Sequence, residues 1–183
     1  MIPPAPLILI PKNRIFLSTK WETRVFNDPS RRELWKRNRK RDLYIDEFFE
    51  AEDINHVLNT GGSLLFSLMR GAGGTVWSNA NAHIGVGDDS TAVADAQTGI
   101  IAAVNVFYEP MDATFPSEAL SGRQHVYEAT FESADANFSW QEFTLENTSD
   151  GSGVAFNRLV QNQGTKLVGQ ERTVTLKLTF PGA

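Results

Sequence analysis

Side chains that could do acid/base or metal chemistry are few in this sequence. Its three histidines, His56, His83 and His125, stand on separate predicted elements, and none has the i, i+4 partner of a helical metal site. A lone histidine without a partner motif is more often a structural or surface residue than a ligand. We therefore expect no histidine-based site.

Two groups of carboxylates offer other chemistry. Asp88-Asp89-Ser90-Thr91, with Asp95 nearby, could supply oxygen ligands to Ca²⁺. The stretch lacks the alternating aspartates of a calcium loop, so a turn or a helix cap is the better interpretation. Glu128 and Glu142 could be an acid/base pair, which needs a separation of about 5–9 Å that sequence spacing cannot establish. Strand alternation favours two outward-facing residues instead.

Motifs of common enzyme and nucleotide sites are missing from the sequence. Gly71, Gly73, Gly74 and the run Gly85-Val86-Gly87 suggest a phosphate loop, but no helix start follows the run and Gly-Lys-Ser/Thr does not occur. There is no nucleophile elbow or catalytic-triad order. Cysteine is absent, which excludes a thiolate nucleophile, a disulfide and a cysteine metal site. We expect a protein that is not an enzyme, without catalytic residues, cofactor or metal.

A basic run near the N-terminus is the most distinctive charge feature. Within eleven residues the chain places seven cations against one acid, Glu33, whereas its formal net charge is −5. Docking onto an acidic protein surface is the favoured interpretation, because clustered cations steer association with acidic partners. A solvated or intramolecularly paired face comes second. Nucleic acid comes last, because only Trp35 could stack on a base. The seven cations are Arg31, Arg32, Lys36, Arg37, Arg39, Lys40 and Arg41.

The first eleven residues add an apolar strip to the basic run. Four of them are proline, which favours an extended backbone, and the strip has no local cover. It lacks the features of a targeting peptide, and no apolar run approaches the ~20 residues of a membrane span. We therefore predict a protein-docking segment over residues 1–41. Its apolar docking candidates are Leu7, Ile8, Leu9 and Ile10.

Most of the remaining sequence has the alternation of β-strands. The clearest strand is 172–180, and others are predicted at 43–50, near Val57, and at 83–87, 100–107, 125–132, 138–145 and 154–160. Residues 13–27 are extended without a sustained period. Helices are predicted over 31–40, with capping-box spacing between Ser30 and Glu33, and over 64–70, capped by Ser63.

These elements predict an all-β fold. The expected architecture is an antiparallel β-sandwich or jelly-roll-like domain with one short helix and an extended N-terminal arm that carries the basic helix. The predicted parts are the docking segment 1–41, a connecting strand region 42–57 and the β-sandwich domain 58–183. The β domain is expected to fold without residues 1–58, since its strands and the leucines of its helix supply a core.

Seven blocks of the sequence have a distinctive order and spacing. They are 71–74, 79–91, 111–112, 129–131, 136–142, 157–158 and 164–166. Together they resemble a group of small virion proteins of tailed bacteriophages, over about residues 58–180. The resemblance implies a structural β domain of the particle, either capsid-decorating or tail-associated.

The resemblance and the docking segment together indicate a capsid decoration (cement) protein. It would be assembled in the host cytoplasm into the virion and anchored to the major capsid protein by residues 1–41. Self-association into a symmetric oligomer is expected, with a trimer favoured, whereas nucleic acid and membrane are not expected partners. The alternative is a tail-associated or tail-fibre protein that binds a receptor or carbohydrate through exposed Trp, Tyr and Asp side chains.

Overall fold

The computed structural model describes residues 17–38, 42–52 and 56–180. Within them, ten strands form two five-stranded antiparallel sheets. The first sheet contains, in order across it, β2 (Glu47–Glu52), β1 (Ser18–Phe26), β10 (Glu171–Thr179), β7 (Gln124–Phe131) and β6 (Ser117–Ala119). The second contains β3 (His56–Val57), β9 (Asn157–Val160), β8 (Glu142–Glu146), β4 (His83–Gly87) and β5 (Val106–Pro110). The predicted all-β sandwich is confirmed.

The core lies between the two sheets and follows the alternation of the strands. On β10, Val174 and Leu176 are fully buried in the core, while Thr173 and Thr175 lie on the outer face. Aromatic rings join the two sheets: Trp21 of β1 lies 6.0 Å from Phe143 of β8, measured between ring centroids. The two sheets therefore share one hydrophobic core.

Strand β1 corrects the predicted division of the chain. It falls inside the segment 1–41 but pairs with β10 on one side and with β2 on the other. Its residues Trp21, Val25 and Phe26 are buried. Residues 18–26 are thus a central strand of the first sheet, and residue 58 does not separate an arm from the sandwich.

Both predicted helices are present with different bounds. Helix α1 (Pro29–Arg37) is capped by Asp28, whose carboxylate accepts a hydrogen bond from the Ser30 backbone, instead of by the predicted Ser30–Glu33 box. Helix α2 (Asn59–Met69) starts before the predicted Ser63 cap and includes Gly61. A β-carbon at Gly61 would collide with the backbone of Phe156, so glycine here permits close packing of the helix rather than a turn.

The remaining differences concern strand ends and loops. A short 3₁₀ helix, Asp42–Tyr44, precedes β2 where one longer strand was predicted. Residues 100–105 are irregular, and β5 starts only at Val106. Strand β6 was not predicted, since three residues give too little alternation to detect.

Candidate docking surfaces

Helix α1 lies on the outer face of the first sheet, held by one aromatic and one basic side chain. The Trp35 ring packs 5.7 Å from that of Phe26, and the Arg24 guanidinium lies 5.3 Å from the centroid of the Trp35 ring. Arg32 is 9% exposed and lies 3.5 Å from Glu171 and 3.8 Å from Asp112. The helix is therefore attached to the sandwich rather than extended from it.

The predicted basic docking residues divide into two groups. Arg31 lies 3.0 Å from Asp46 and donates to the backbone oxygens of Leu43 and Tyr44, so Arg31, like Arg32, is engaged inside the molecule. For these two cations, the structure agrees with the second interpretation of the basic run, that its charges are paired within the molecule. Lys36 and Arg37 are exposed in the last turn of α1. Lys36 pairs with Glu33 at 3.2 Å, an exposed contact of small energy.

The other predicted docking residues, Leu7, Ile8, Leu9, Ile10, Arg39, Lys40 and Arg41, lie outside the described residues. Arg39 to Arg41 follow directly on the exposed end of α1 in the sequence. The exposed cations Lys36 and Arg37 are called the basic patch below.

Next to α1, the outer face of the first sheet has an open groove of about 490 Å³. Glu22 lies at its base, 2.5 Å from Lys177 and 2.6 Å from Arg24. Burial opposes ionisation of Glu22, but these two cations hold its pKa below the usual value. A carboxylate kept ionised in this way is a poor proton donor or acceptor near neutral pH, so Glu22 gives the groove a fixed negative charge.

The outer face of the second sheet is covered by the long loop 88–105. Glu142 of β8 accepts hydrogen bonds from the backbone N–H groups of Ile101 and Ala102 at 3.0 and 2.8 Å. Arg158 of β9 pairs with Glu142 at 2.7 Å and donates to the Thr91 carbonyl at 2.9 Å. Glu142 and Arg158 are fully buried. They therefore act as a polar anchor for the loop, and Glu142, predicted to be a solvent-facing strand residue, is covered.

Both carboxylate hypotheses can be placed in this structure. Glu128 lies on the outer face of the first sheet and accepts from Thr175 at 3.0 Å, whereas Glu142 lies on the opposite side of the sandwich. The two do not form a pair. Asp88 accepts from Asn105 and Asp89 accepts from the Thr91 backbone at 2.7 Å, which is the predicted turn.

The described residues contain no group of three or more His, Asp or Glu that could hold a metal ion. The histidines are separate, as expected: His83 contacts the Asn81 carbonyl at 2.8 Å, His56 lies 3.6 Å from Asp95, and His125 is exposed. No helix in the described part of the chain is long and apolar enough to cross a membrane.

Glu146 is a buried carboxyl group beneath the same loop. It is fully buried beside Gly99, and neither carboxyl oxygen makes a hydrogen bond of good geometry to the described residues. Burial raises its pKa to about 8, and the Thr144 hydroxyl offsets only part of this. The folded protein therefore holds Glu146 in its neutral form at neutral pH.

This burial predicts a pH-dependent stability. Between pH 4.5 and about 8 the folded state keeps the proton on Glu146 and the unfolded state releases it. The stability due to the neutral Glu146 is complete below pH 4.5 and is lost as the pH rises to about 8, by up to about 1.4 kcal/mol per pH unit. In urea unfolding, the free energy of unfolding of Glu146→Gln should fall less than that of wild type as the pH rises from 4.5 to about 8. The pKa of Glu109, also raised to about 8 by burial and neighbouring acids, is a background common to both proteins. If the free energy of unfolding changes with pH equally in both proteins, the assignment of this pH dependence to Glu146 is wrong.

An apolar groove of about 170 Å³ opens at the end of the sandwich remote from α1. We call it the end groove. It lies at the C-terminal end of β10, where Leu178 and the following Phe180 line it. Leu17, the first described residue, also lines it. Its other lining residues are Leu65, Trp77, His125, Tyr127, Leu145 and Phe156. No sequence pattern indicates this groove, because its residues come from seven separate stretches of the chain.

Comparisons with known protein families, with curated proteins and with solved structures found no match to this chain. The functional argument therefore depends on the surfaces described above.

Proposed function

We propose that this chain is a structural protein of a bacteriophage particle, a capsid decoration protein that binds the major capsid protein through the exposed part of residues 1–41. One observation carries the proposal: α1 is attached firmly to the sandwich by Trp35 and Arg32, while Lys36 and Arg37 remain exposed at its end. A preorganised basic patch can bind an acidic surface with little further ordering cost.

The rest of the architecture is consistent with a scaffold that presents this patch. Loop 88–105 covers one face of the sandwich through the Glu142–Arg158 anchor, so one outer face is occupied by the chain itself. The other face carries α1. We further propose that copies associate symmetrically on the particle, as trimers, with the basic patch toward the capsid.

A sugar-binding tail protein is the alternative class. That alternative was based on exposed Trp, Tyr and Asp side chains. All four tryptophans, Trp21, Trp35, Trp77 and Trp140, are at most 9% exposed. None of the three tyrosines reaches the exposed class either. The Trp and Tyr part of the alternative therefore lacks support, and this favours the decoration role in our proposal.

The proposal can be tested by charge reversal. In a binding assay on capsids that lack the protein, Lys36→Glu/Arg37→Glu should lower affinity about tenfold or more, since each reversed contact removes an attraction and adds a repulsion. Arg70→Glu is the matched control, because Arg70 is an exposed cation at the end of α2, and it should bind like wild type. Occupancy on the capsid is measured by cryo-electron microscopy and by sedimentation.

Two results would contradict the proposal. Full capsid occupancy by the double variant, when the apolar residues 1–11 are also deleted, would refute docking through residues 1–41. The other is location of the chain in the tail together with saturable binding to a host-surface sugar, which would establish the alternative.

A further inference from the structure

The end groove has the properties of a binding site for an apolar peptide. Its lining combines leucine side chains with aromatic rings, among them Trp77, Tyr127 and Phe156. An engineered cavity of about 150 Å³ with a similar lining takes up benzene, so about 170 Å³ can receive one or two aliphatic side chains. The groove is open at one end of the core, where an apolar occupant would gain the energy of burial.

A polar atom of one lining residue indicates what else the occupant must offer. Trp77 is only 9% exposed. Its indole N–H is buried and has no hydrogen-bond acceptor among the described residues. An unpaired buried donor costs about 1–3 kcal/mol. A peptide carbonyl would satisfy it, and Pro-rich segments have free carbonyls because an extended polyproline backbone makes no internal hydrogen bonds. Aromatic-lined grooves are the usual receptors for such segments.

The chain itself contains a segment of this chemistry. Residues 3–11, Pro-Pro-Ala-Pro-Leu-Ile-Leu-Ile-Pro, combine four prolines with the apolar stretch Leu7–Ile10. The described chain begins at Leu17, on the wall of the groove. Six residues, 11–16, separate Ile10 from Leu17 and can span about 20 Å, which is enough to fold back into the groove. A tether this short gives an effective concentration near the millimolar range.

We propose that the end groove binds the Pro-rich apolar segment 3–11 of its own chain. Side chains of Leu7–Ile10 fill the apolar space, and a backbone carbonyl of the segment accepts the hydrogen bond of the Trp77 indole. The inference concerns the isolated protein and does not depend on the role proposed for the basic patch. If the same apolar stretch also contacts the capsid, groove and capsid compete for it.

Engineered disulfides test the proposal directly, because the natural chain has no cysteine. His125 lines the groove and is exposed, so the double variant Ile8→Cys/His125→Cys should fold normally. The control is Ile8→Cys/Glu33→Cys, because Glu33 is exposed and lies far from the groove. Its helix, α1, contacts Glu171 at the end of β10 opposite to the groove. The nine residues of β10 span about 27 Å, and a disulfide needs Cα atoms within about 7 Å.

Both full-length variants are oxidised with diamide at low micromolar concentration, where each disulfide formed consumes one diamide, and are separated by non-reducing electrophoresis and mass spectrometry. We expect an intramolecular disulfide at least about tenfold faster in the His125 variant than in the control. Equal rates would overturn the proposal. A disulfide-linked dimer as the main product would also overturn it, because the segment would then occupy the groove of a second copy.

A spectroscopic measurement gives an independent readout. The indole N–H resonance of Trp77, assigned by its loss in Trp77→Phe, should move downfield in the full chain relative to a chain that starts at Leu17, because it gains an acceptor. Adding a synthetic peptide of residues 1–11 to the shorter chain should restore the shift. An unchanged resonance in both experiments would show that the segment does not reach Trp77 and would overturn the assignment.

Discussion

A chain that starts at Asn59 will fail to fold, whereas a chain that starts at Leu17 will unfold cooperatively. The shorter chain lacks β1, and with it Trp21, Val25 and Phe26, which are at most 1% exposed. Loss of a single large core side chain costs about 3–5 kcal/mol, and a domain has only about 5–15 kcal/mol in total. The same truncation removes β2 and β3, and the edge of β10 that pairs with β1 is left without a partner strand.

Thermal unfolding followed by circular dichroism distinguishes the two chains. The one that begins at Leu17 retains every described residue and serves as the control. We expect a single transition for it and none for the chain that begins at Asn59, which should aggregate or bind a hydrophobic dye. A cooperative transition in the shorter chain would mean that the sandwich closes without β1, β2 and β3.

Breaking the buried ion pair under loop 88–105 should destabilise the protein about as much as the loss of a large core side chain. In Arg158→Met, the carboxylate of Glu142 remains buried and loses its cation, although the N–H groups of Ile101 and Ala102 remain. Removing one partner of such a pair costs about 3–5 kcal/mol. Urea unfolding should show this loss as a lower midpoint with an unchanged slope.

The double variant Glu142→Gln/Arg158→Met provides the control. It removes both charges, so it should be more stable than Arg158→Met, and the coupling energy follows from the complete double-mutant cycle. Reversal of a surface pair, Lys36→Glu/Glu33→Lys, should change stability by less than about 1 kcal/mol. Equal costs at the buried and the surface pair would refute the anchoring role of Arg158.

The sequence predicted the sandwich because apolar and polar residues alternate cleanly on most of its strands. It missed β1, where the inward residues Thr19, Trp21, Thr23 and Val25 include two threonines, so the alternation was hidden among residues that read as polar. Both threonines are at most 2% exposed. Treating threonine as a strand residue with a buried face would have revealed this strand.

The candidate surfaces were less predictable than the fold. The basic run was visible in the sequence, but whether each cation is exposed depends on acids distant in the chain, such as Asp112 and Glu171 for Arg32. The same limit applies to Arg158, Lys166 and Arg172, which are at most 1% exposed although long cations normally lie on the surface. The only local hint of the Glu142 anchor is Gly87, where a β-carbon would come within 2.5 Å of the Glu142 carboxylate.

The place of β1 between β2 and β10 determines how the molecule would carry a mechanical load. A pull on the residues before Leu17 acts along the axis of β1, perpendicular to the hydrogen bonds on both of its sides. Those bonds are loaded in shear, and two ladders must yield together, whereas an edge strand pulled sideways would open one bond at a time. A protein held by its N-terminal segment can therefore resist a force on its body along the direction in which its first sheet is strongest.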